Sequence, residues 1–103
     1  MQTDMPGHGQ DVAVLIPCFN EALAIARVIR DFRTALPHAR IHVFDNASTD
    51  RTVEIAREAG AIVRTVGLRG KGNVVRRMFA DVDADIYVLV DGETLVRPSY
   101  YSK

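Results

Sequence analysis

The chain has 103 residues, 48% of them hydrophobic and 25% charged, which is typical of one globular domain with a single core. Thirteen basic residues balance thirteen acidic ones without any Lys/Arg block, so the charge pattern gives no support to nucleic-acid binding. No apolar stretch is long enough to span a bilayer, and the single cysteine, Cys18, excludes an internal disulfide. We therefore expect a cytoplasmic protein, either free or held at the cytoplasmic face of the membrane.

Four strand-type runs alternate with three helix-type segments along the sequence. We expect residues 1–10 to form a flexible polar tail, because they lack the basic and apolar regions of a secretory signal. In residues 11–103 the predicted strands are Val12–Pro17, Ile41–Asp45, Ala61–Val66 and Ile86–Asp91. The predicted helices run from Asn20 or Glu21 to Leu36, from Ser48 or Asp50 to Gly60, and from about Gly72 to Asp83. This alternation predicts an α/β fold with a Rossmann-like parallel sheet between two helical layers.

The order of the strands follows from the handedness of their connections. Right-handed crossovers, with strand 4 on the far side of strand 1, predict the order 3-2-1-4. In this order the chain moves outward in one direction from strand 1 to strand 3, and strand 4 lies on the opposite side of strand 1, so the direction of winding changes between strands 1 and 4. Open α/β sheets bind ligands at the carboxyl ends of the strands that flank such a switch point. The polar stretches PCFNE, DNASTD and DGE follow strands 1, 2 and 4. We therefore expect a ligand site at this edge of the sheet.

Three common phosphate sites do not fit this sequence. The turn after strand 1 contains no glycine, so the dinucleotide fingerprint G-x-G-x-x-G is absent. A P-loop also fails, because Thr65 and Gly72 stand where its first Gly and its Ser or Thr would be. A phospho-accepting receiver domain needs an acidic pair after strand 1, where only Glu21 is present.

The step Asp91-Gly92-Glu93 supplies two carboxylates at the end of the fourth predicted strand. These hard oxygen donors suit Mg²⁺ or Mn²⁺, which keep open positions for phosphate oxygens. Gly92 lets a ligand approach the backbone closely. A nucleotide diphosphate bridged to the chain by a divalent metal fits this arrangement.

Hydrogen-bonding side chains also follow strands 1 and 2. Asp45 and Asn46 can bond to a base or a ribose, and Asn20 and Glu21 offer the same chemistry from the neighbouring loop. A strand-end Asp is often only a turn former, and we interpret Asp50 as a cap of the second helix. We interpret Cys18 as a small buried residue and the three histidines as structural or surface residues.

Three stretches, VLIPCFNE, VFDNASTDRTVEIA and ADIYVLVDGE, resemble the nucleotide-binding half of the inverting family 2 glycosyltransferases. The likeness is greatest to the branch that contains dolichol-phosphate mannosyltransferases, and it covers nearly everything from Val12 to Glu93. It implies that residues 11–103 form the N-terminal half of a GT-A fold. It further implies binding of a nucleotide-diphospho-sugar, GDP- or UDP-linked, through Mg²⁺ or Mn²⁺.

The resemblance also implies roles for individual residues. Those lining the nucleoside pocket and meeting the base and ribose would be Pro17, Phe19, Glu21, Phe44, Asp45 and Asn46. Those holding the metal and the diphosphate would be Asp91, Gly92 and Glu93, with Lys71 as a further ligand contact. Asn46 stands where the family often has Asp, which leaves the choice of base open. Glu93 replaces the usual second Asp of the metal motif.

In the resembling enzymes the acceptor site, for example for a polyprenyl phosphate, and the base carboxylate follow the metal motif. Few residues follow it in this sequence, so we expect no glycosyl transfer by the 103-residue chain alone. We also expect a homo-oligomer that forms through an exposed edge at strand 4. Two alternatives stay open: a non-catalytic nucleotide-binding or interaction module, and a nucleotidyltransferase, which usually carries a Gly-rich basic loop after strand 1.

Overall fold

The computed structural model describes residues 10–66 and 71–90, and for residues 71–74 it describes the backbone alone. Its strands are β1 (Val12–Cys18), β2 (Arg40–Asp45), β3 (Ile62–Thr65) and β4 (Ile86–Leu89). Its helices are α1 (Ile25–Ala35), α2 (Thr52–Glu58) and α3 (Lys71–Asp81). All strand pairs are parallel and the sheet order is β3-β2-β1-β4. The predicted α/β class and strand order are confirmed.

The core lies in two layers, one on each face of the sheet. Because successive strand residues point to opposite faces, β2 sends Ile41 and Val43 to one face and Phe44 to the other. Helices α1 and α2 cover the first face, where Ile25 of α1 and Ala56 of α2 are buried. Helix α3 covers the second face with buried residues such as Met78. The molecule is therefore a three-layer α/β/α sandwich, as the sequence predicts.

Helix α1 begins at Ile25, four or five residues later than predicted. The predicted start falls in a turn, because Asn20 has a left-handed backbone with φ of 53°. The carbonyl of Glu21 accepts the N–H groups of Ala24 and Ile25 at 3.1 and 2.9 Å, and the helix begins after this turn. The apolar face of this helix packs on the sheet, and its residues Ile25, Val28 and Ile29 are buried.

Helix α2 ends in a Schellman motif centred on Gly60. The N–H of Gly60 donates to the carbonyl of Arg57 at 2.9 Å, and that of Ala61 donates to Ala56 at 3.1 Å. Gly60 has φ of 99°, a conformation that residues with a Cβ rarely adopt. The predicted stop at this glycine is confirmed.

Strand β4 lies at an edge of the sheet that the described residues form, and its residues are only half-buried. The side chain of Phe79 in α3 is 48% exposed. Met78 occupies the position over the sheet, and Phe79 packs edge-on against Tyr87 of β4, with ring centroids 5.0 Å apart. Self-association through the β4 edge stays a prediction.

A buried histidine lies between two arginines on the α3 side of β2. His42 is 3% exposed, and its ring nitrogens lie 3.3 Å from Arg40 Nη1 and 3.0 Å from Arg64 Nη1. Arg40 pairs with Asp11 at 2.9 Å, and Arg64 lies 4.0 Å from Asp81. Burial and the two guanidinium charges lower the pKa of His42 to about 4. The ring is therefore neutral near pH 7, and His42 is structural, as the sequence indicates.

Candidate nucleotide site

The loops after β1 and β2 lie side by side at the carboxyl edge of the sheet. Cys18 at the end of β1 pairs with Asp45 at the end of β2. The N–H of Asn46 then donates to the carbonyl of Cys18 at 2.9 Å, which extends the contact by one residue. The N–H of Val90 donates to the carbonyl of Leu15 in β1 at 3.0 Å, so Val90, which follows β4, lies beside β1. The predicted convergence is present for the described residues.

Asp45 lies under this edge and is almost wholly buried, with 1% of its surface exposed. Its Oδ2 accepts the backbone N–H of Ser48 at 2.9 Å, and its Oδ1 accepts the Ser48 hydroxyl. The thiol of Cys18 donates weakly to Oδ1 at 3.7 Å. Both carboxylate oxygens therefore have internal partners, and Asp45 organises the loop from below.

Asn46 carries an unsatisfied polar atom. Its Oδ1 is buried, and within residues 10–66 and 71–90 it has no hydrogen-bond partner. Buried polar atoms are nearly always paired, and an exception calls for an explanation such as a bound ligand or water. A carboxamide carries both an acceptor oxygen and a donor NH₂ group. Asn46 is the strongest candidate for a ligand contact in the described part of the chain.

A set of hydrogen bonds, here called the loop clamp, joins the two loops. Its members are Asn20 from the first loop and Ser48, Thr49 and Asp50 from the second. The N–H of Asn20 donates to Ser48 Oγ at 2.8 Å. Asn20 Oδ1 accepts the N–H groups of Thr49 at 2.8 Å and of Asp50 at 3.3 Å. The clamp fixes the two loops relative to each other.

Asp50 of the clamp also contacts the start of α2, and its charge acts on Glu21 of the first loop. The Asp50 carboxylate accepts the Thr52 N–H at 2.9 Å and the Ala22 N–H at 3.3 Å, and it also accepts the Thr52 hydroxyl. The Thr52 hydroxyl lowers the pKa of Asp50, whereas burial and the Asp50 charge raise the pKa of Glu21. The N-cap position of α2 is Arg51, so the predicted cap, Asp50, lies one residue earlier, and from there its carboxylate accepts the first helical N–H.

Of the other predicted nucleotide or metal contacts, Pro17, Phe19 and Phe44 belong to the described residues. Pro17 is partly buried in β1 and Phe19 is partly exposed in the first loop. Phe44 lies in the core with Leu15 and Met78 and is 0% exposed, so its ring has no surface to offer a base or ribose. That ring contact needs correction, because strand alternation points residue 44 away from the face of residue 45. The side chain of Lys71, and Asp91, Gly92 and Glu93, lie outside the described residues.

Cys18 is buried beneath the edge, as predicted. Burial, followed by the Asp45 charge, raises the pKa of its thiol well above the ordinary range. The thiolate, which is the nucleophilic form, is therefore suppressed. This environment suits a packed side chain and not a nucleophile.

Three residues shape the edge without having been predicted to do so: Ala47, Ser48 and Thr52. The sequence offers Ser48 only as a start of α2, which begins at Thr52. Ala47 has φ of 60°, and Thr52 is fully buried while its Oγ1 accepts the N–H of Glu21 at 2.9 Å. The signal for Ser48 is its spacing of three residues from Asp45, typical of an Asp side chain that bonds back to its own turn. The bond between Thr52 and Glu21 joins residues distant in sequence, and local patterns do not reveal it.

For residues 10–66 and 71–90, no group of three or more His, Cys, Asp or Glu side chains is arranged to hold a metal ion. The predicted metal ligands, Asp91 and Glu93, are beyond these ranges. No helix in the same part of the chain is both long and apolar enough to cross a membrane.

Solved structures share this architecture. Glucosyl-3-phosphoglycerate synthase from Mycobacterium tuberculosis, in complex with Mn²⁺, UDP and glucosyl-3-phosphoglycerate, superposes with a TM-score of 0.72 and 31% identity over 82% of this chain. The same synthase in complex with Mg²⁺ and UDP gives the same values. The fold and its edge thus define a protein of the GT-A glycosyltransferase class. This chain belongs to the family described as Glycosyl transferase family 2, which matches residues 13–103.

Curated relatives agree with this assignment. Protein RfbJ of Shigella flexneri is 63% identical over 86 residues, which are 84% of this chain and 67% of that protein. Glycosyltransferase AglJ of Haloferax volcanii is 41% identical over 83 residues, which are 80% of this chain and 27% of that enzyme. The chain spans only 34% of the mycobacterial synthase. The matches to the two enzymes thus cover about a third of their length or less.

Proposed function

We propose that this chain forms the donor-binding part of an inverting glycosyltransferase and binds a GDP- or UDP-sugar together with Mg²⁺ or Mn²⁺. The whole protein transfers the sugar to an acceptor such as a polyprenyl phosphate, as in the branch that contains dolichol-phosphate mannosyltransferases. The sequence motifs after β1, β2 and β4 support this finer assignment, and the family supports the coarser one.

The observation that carries the proposal is the unpaired Oδ1 of Asn46 at the carboxyl edge of the sheet. Ligands of open α/β sheets bind at this edge. A carboxamide can accept an N–H from a base and donate to its carbonyl, as in the N–H and C=O pairs of uracil or guanine. The mycobacterial synthase, which shares the fold at 31% identity, was solved in complex with UDP and Mn²⁺. Together these facts support a nucleotide at Asn46.

The proposed site also includes a divalent metal ion, which would bind to residues that follow β4. Asp91 and Glu93 supply carboxylate oxygens, the donor type that Mg²⁺ and Mn²⁺ prefer. A divalent ion there offsets the negative charge of the diphosphate. The base would then lie toward β2 and the diphosphate toward the end of β4.

Calorimetric titration tests the proposal. UDP, GDP and CTP are titrated into the 103-residue chain with Mn²⁺ and again with EDTA, and we expect UDP or GDP to bind only with Mn²⁺. Asn46→Ala should weaken that binding by about tenfold, since a lost hydrogen bond in a buried site costs about 1.5 kcal/mol. Asp91→Ala should remove the dependence on Mn²⁺.

Glu58→Ala is the matched control, because it removes a carboxylate from the last residue of α2, at the opposite end of that helix from the site. It should bind nucleotide as the wild type does. Equal affinity in Mn²⁺ and EDTA would refute the metal assignment. A preference for CTP would favour a nucleotidyltransferase instead.

A further inference from the structure

We propose that Asn20 is a positioning residue of the nucleotide site: through the loop clamp it holds the β2–α2 loop, and so fixes the carboxamide of Asn46, whose Oδ1 is unpaired. This inference rests on the proposed function, because it concerns the same site. It also changes the role of Asn20, for which the sequence predicts direct contact with the nucleotide.

The bonding of the Asn20 side chain supports an indirect role. Its Oδ1 accepts two backbone N–H groups, those of Thr49 and Asp50, and lies 3.4 Å from the Thr49 hydroxyl. A carbonyl oxygen has two lone pairs, so these donors occupy its capacity. The acceptor that a base could use is therefore already engaged within the protein.

The backbone of Asn20 favours the same role. Its φ of 53° lies in the left-handed region, where Asn is among the few non-glycine residues found regularly. This turn also directs the Asn20 N–H to Ser48 Oγ at 2.8 Å. Ser48 in turn donates its hydroxyl to the buried Asp45. A continuous path of hydrogen bonds thus runs from the first loop to the end of β2.

Asn46 is the residue that this path immobilises. It follows Asp45 directly and lies two residues before Ser48, and its own N–H is bonded to Cys18 at 2.9 Å. Ordering one residue of backbone costs about 1–2 kcal/mol. If the loop is already ordered before binding, this free energy is not lost when the nucleotide binds, and the affinity for the nucleotide is higher. Loss of the clamp should weaken nucleotide binding by about tenfold without removing any ligand contact.

The variants Asn20→Gly and Asn20→Asp distinguish the effect of the Asn20 side chain from the effect of its backbone conformation. Glycine keeps the left-handed turn but removes the acceptor, whereas Asp keeps both an acceptor and a tolerance for positive φ. Ser48→Ala breaks the clamp from the other loop. For each variant we would measure the Kd of UDP and GDP with Mn²⁺ well below the midpoint of thermal unfolding. Amide hydrogen exchange of Thr49 and Asp50 reports on the clamp itself.

We expect Asn20→Gly to lose protection at both amides and about tenfold in affinity. Asn20→Asp should keep the protection and recover most of the affinity at 0.5 M salt, where its added charge is screened. Ser48→Ala should also weaken binding, and the double variant with Asn20→Gly should lose less than the sum of the two single changes.

Two results would overturn the proposal. Lost affinity with the amides still protected would mean that Asn20 contacts the nucleotide directly. Lost protection with unchanged affinity would mean that the clamp does not position the site. Failure of the wild type to bind either nucleotide would instead refute the proposed function, and the exchange data would show separately whether Asn20 orders the loop.

Discussion

The guanidinium of Arg33 donates a hydrogen bond to the carbonyl oxygen of Gly60 at 2.9 Å and so joins α1 to the end of α2. A Cβ added to Gly60 would lie 2.8 Å from Arg33 Nη2. The hydrogen bond therefore needs a residue without a Cβ at position 60, 27 residues from Arg33 in the sequence.

Gly60→Ala should destabilise the fold by about 1–2 kcal/mol, because an L-residue is strained in the left-handed region. Chemical denaturation followed by circular dichroism measures this change. The double variant with Arg33→Ala removes the steric contact and leaves the backbone strain. If the cost of Gly60→Ala vanished in that background, strain in the backbone would not be its cause.

His42 should make stability depend on pH. In the folded protein its pKa is about 4, against 6.5 when unperturbed, since burial and the charges of Arg64 and Arg40 outweigh the opposing Asp11. Between these values the unfolded chain binds a proton that the folded chain does not, so stability falls as pH falls from about 6.5 to about 4. At pH 4.5 the loss from this residue is about 2 kcal/mol.

His42→Gln removes the titrating group, and urea denaturation at pH 7 and pH 4.5 should show a smaller difference than in the wild type. His38→Gln, a change at an exposed histidine between α1 and β2, is the control. Equal pH dependence in the wild type and His42→Gln would contradict the assignment.

The elements themselves could be predicted from the sequence, because apolar runs and helical stripes are local signals. The start of α1 could not, since the left-handed turn at Asn20 is fixed by contacts with Ser48 and Thr49, almost 30 residues away. The burial of Phe44 could have been predicted from strand alternation alone. The unpaired oxygen of Asn46 required the structure, because only the packed loops show which polar atoms lack partners.

Ala47→Gly should stabilise the protein by about 0.5–1 kcal/mol. Ala47 has φ of 60°, which costs an L-residue about 1–2 kcal/mol, and the greater freedom of glycine in the unfolded chain offsets part of this gain. The midpoint of urea denaturation measures the effect. Ala26→Gly within α1 is the control and should destabilise by about 1 kcal/mol. A loss of stability in Ala47→Gly would contradict the prediction.

The Cys18 thiol should resist modification in the folded protein. It is buried, and burial together with Asp45 raises its pKa, so labelling requires local or global opening. We expect reaction with a disulfide reagent at pH 7 to be at least about 100-fold slower than in urea-unfolded protein. Absorbance of the released thiolate follows the reaction. Rapid labelling in native buffer would show that the edge opens more readily than its packing suggests.

Phe44 and Asp45 are neighbours on β2, but their side chains lie on opposite faces of the sheet. This difference specifies the register of β2 against β1. A slip of β2 by one position against β1 would exchange them, since side chains alternate along a strand. The Asp45 carboxylate would then leave Cys18 and enter the apolar layer beneath α3, and a phenyl ring would lie under the two loops. Burying an unpaired charge costs several kcal/mol, and a displaced Phe forfeits about 2 kcal/mol more. The residue pair therefore disfavours a one-residue slip of β2.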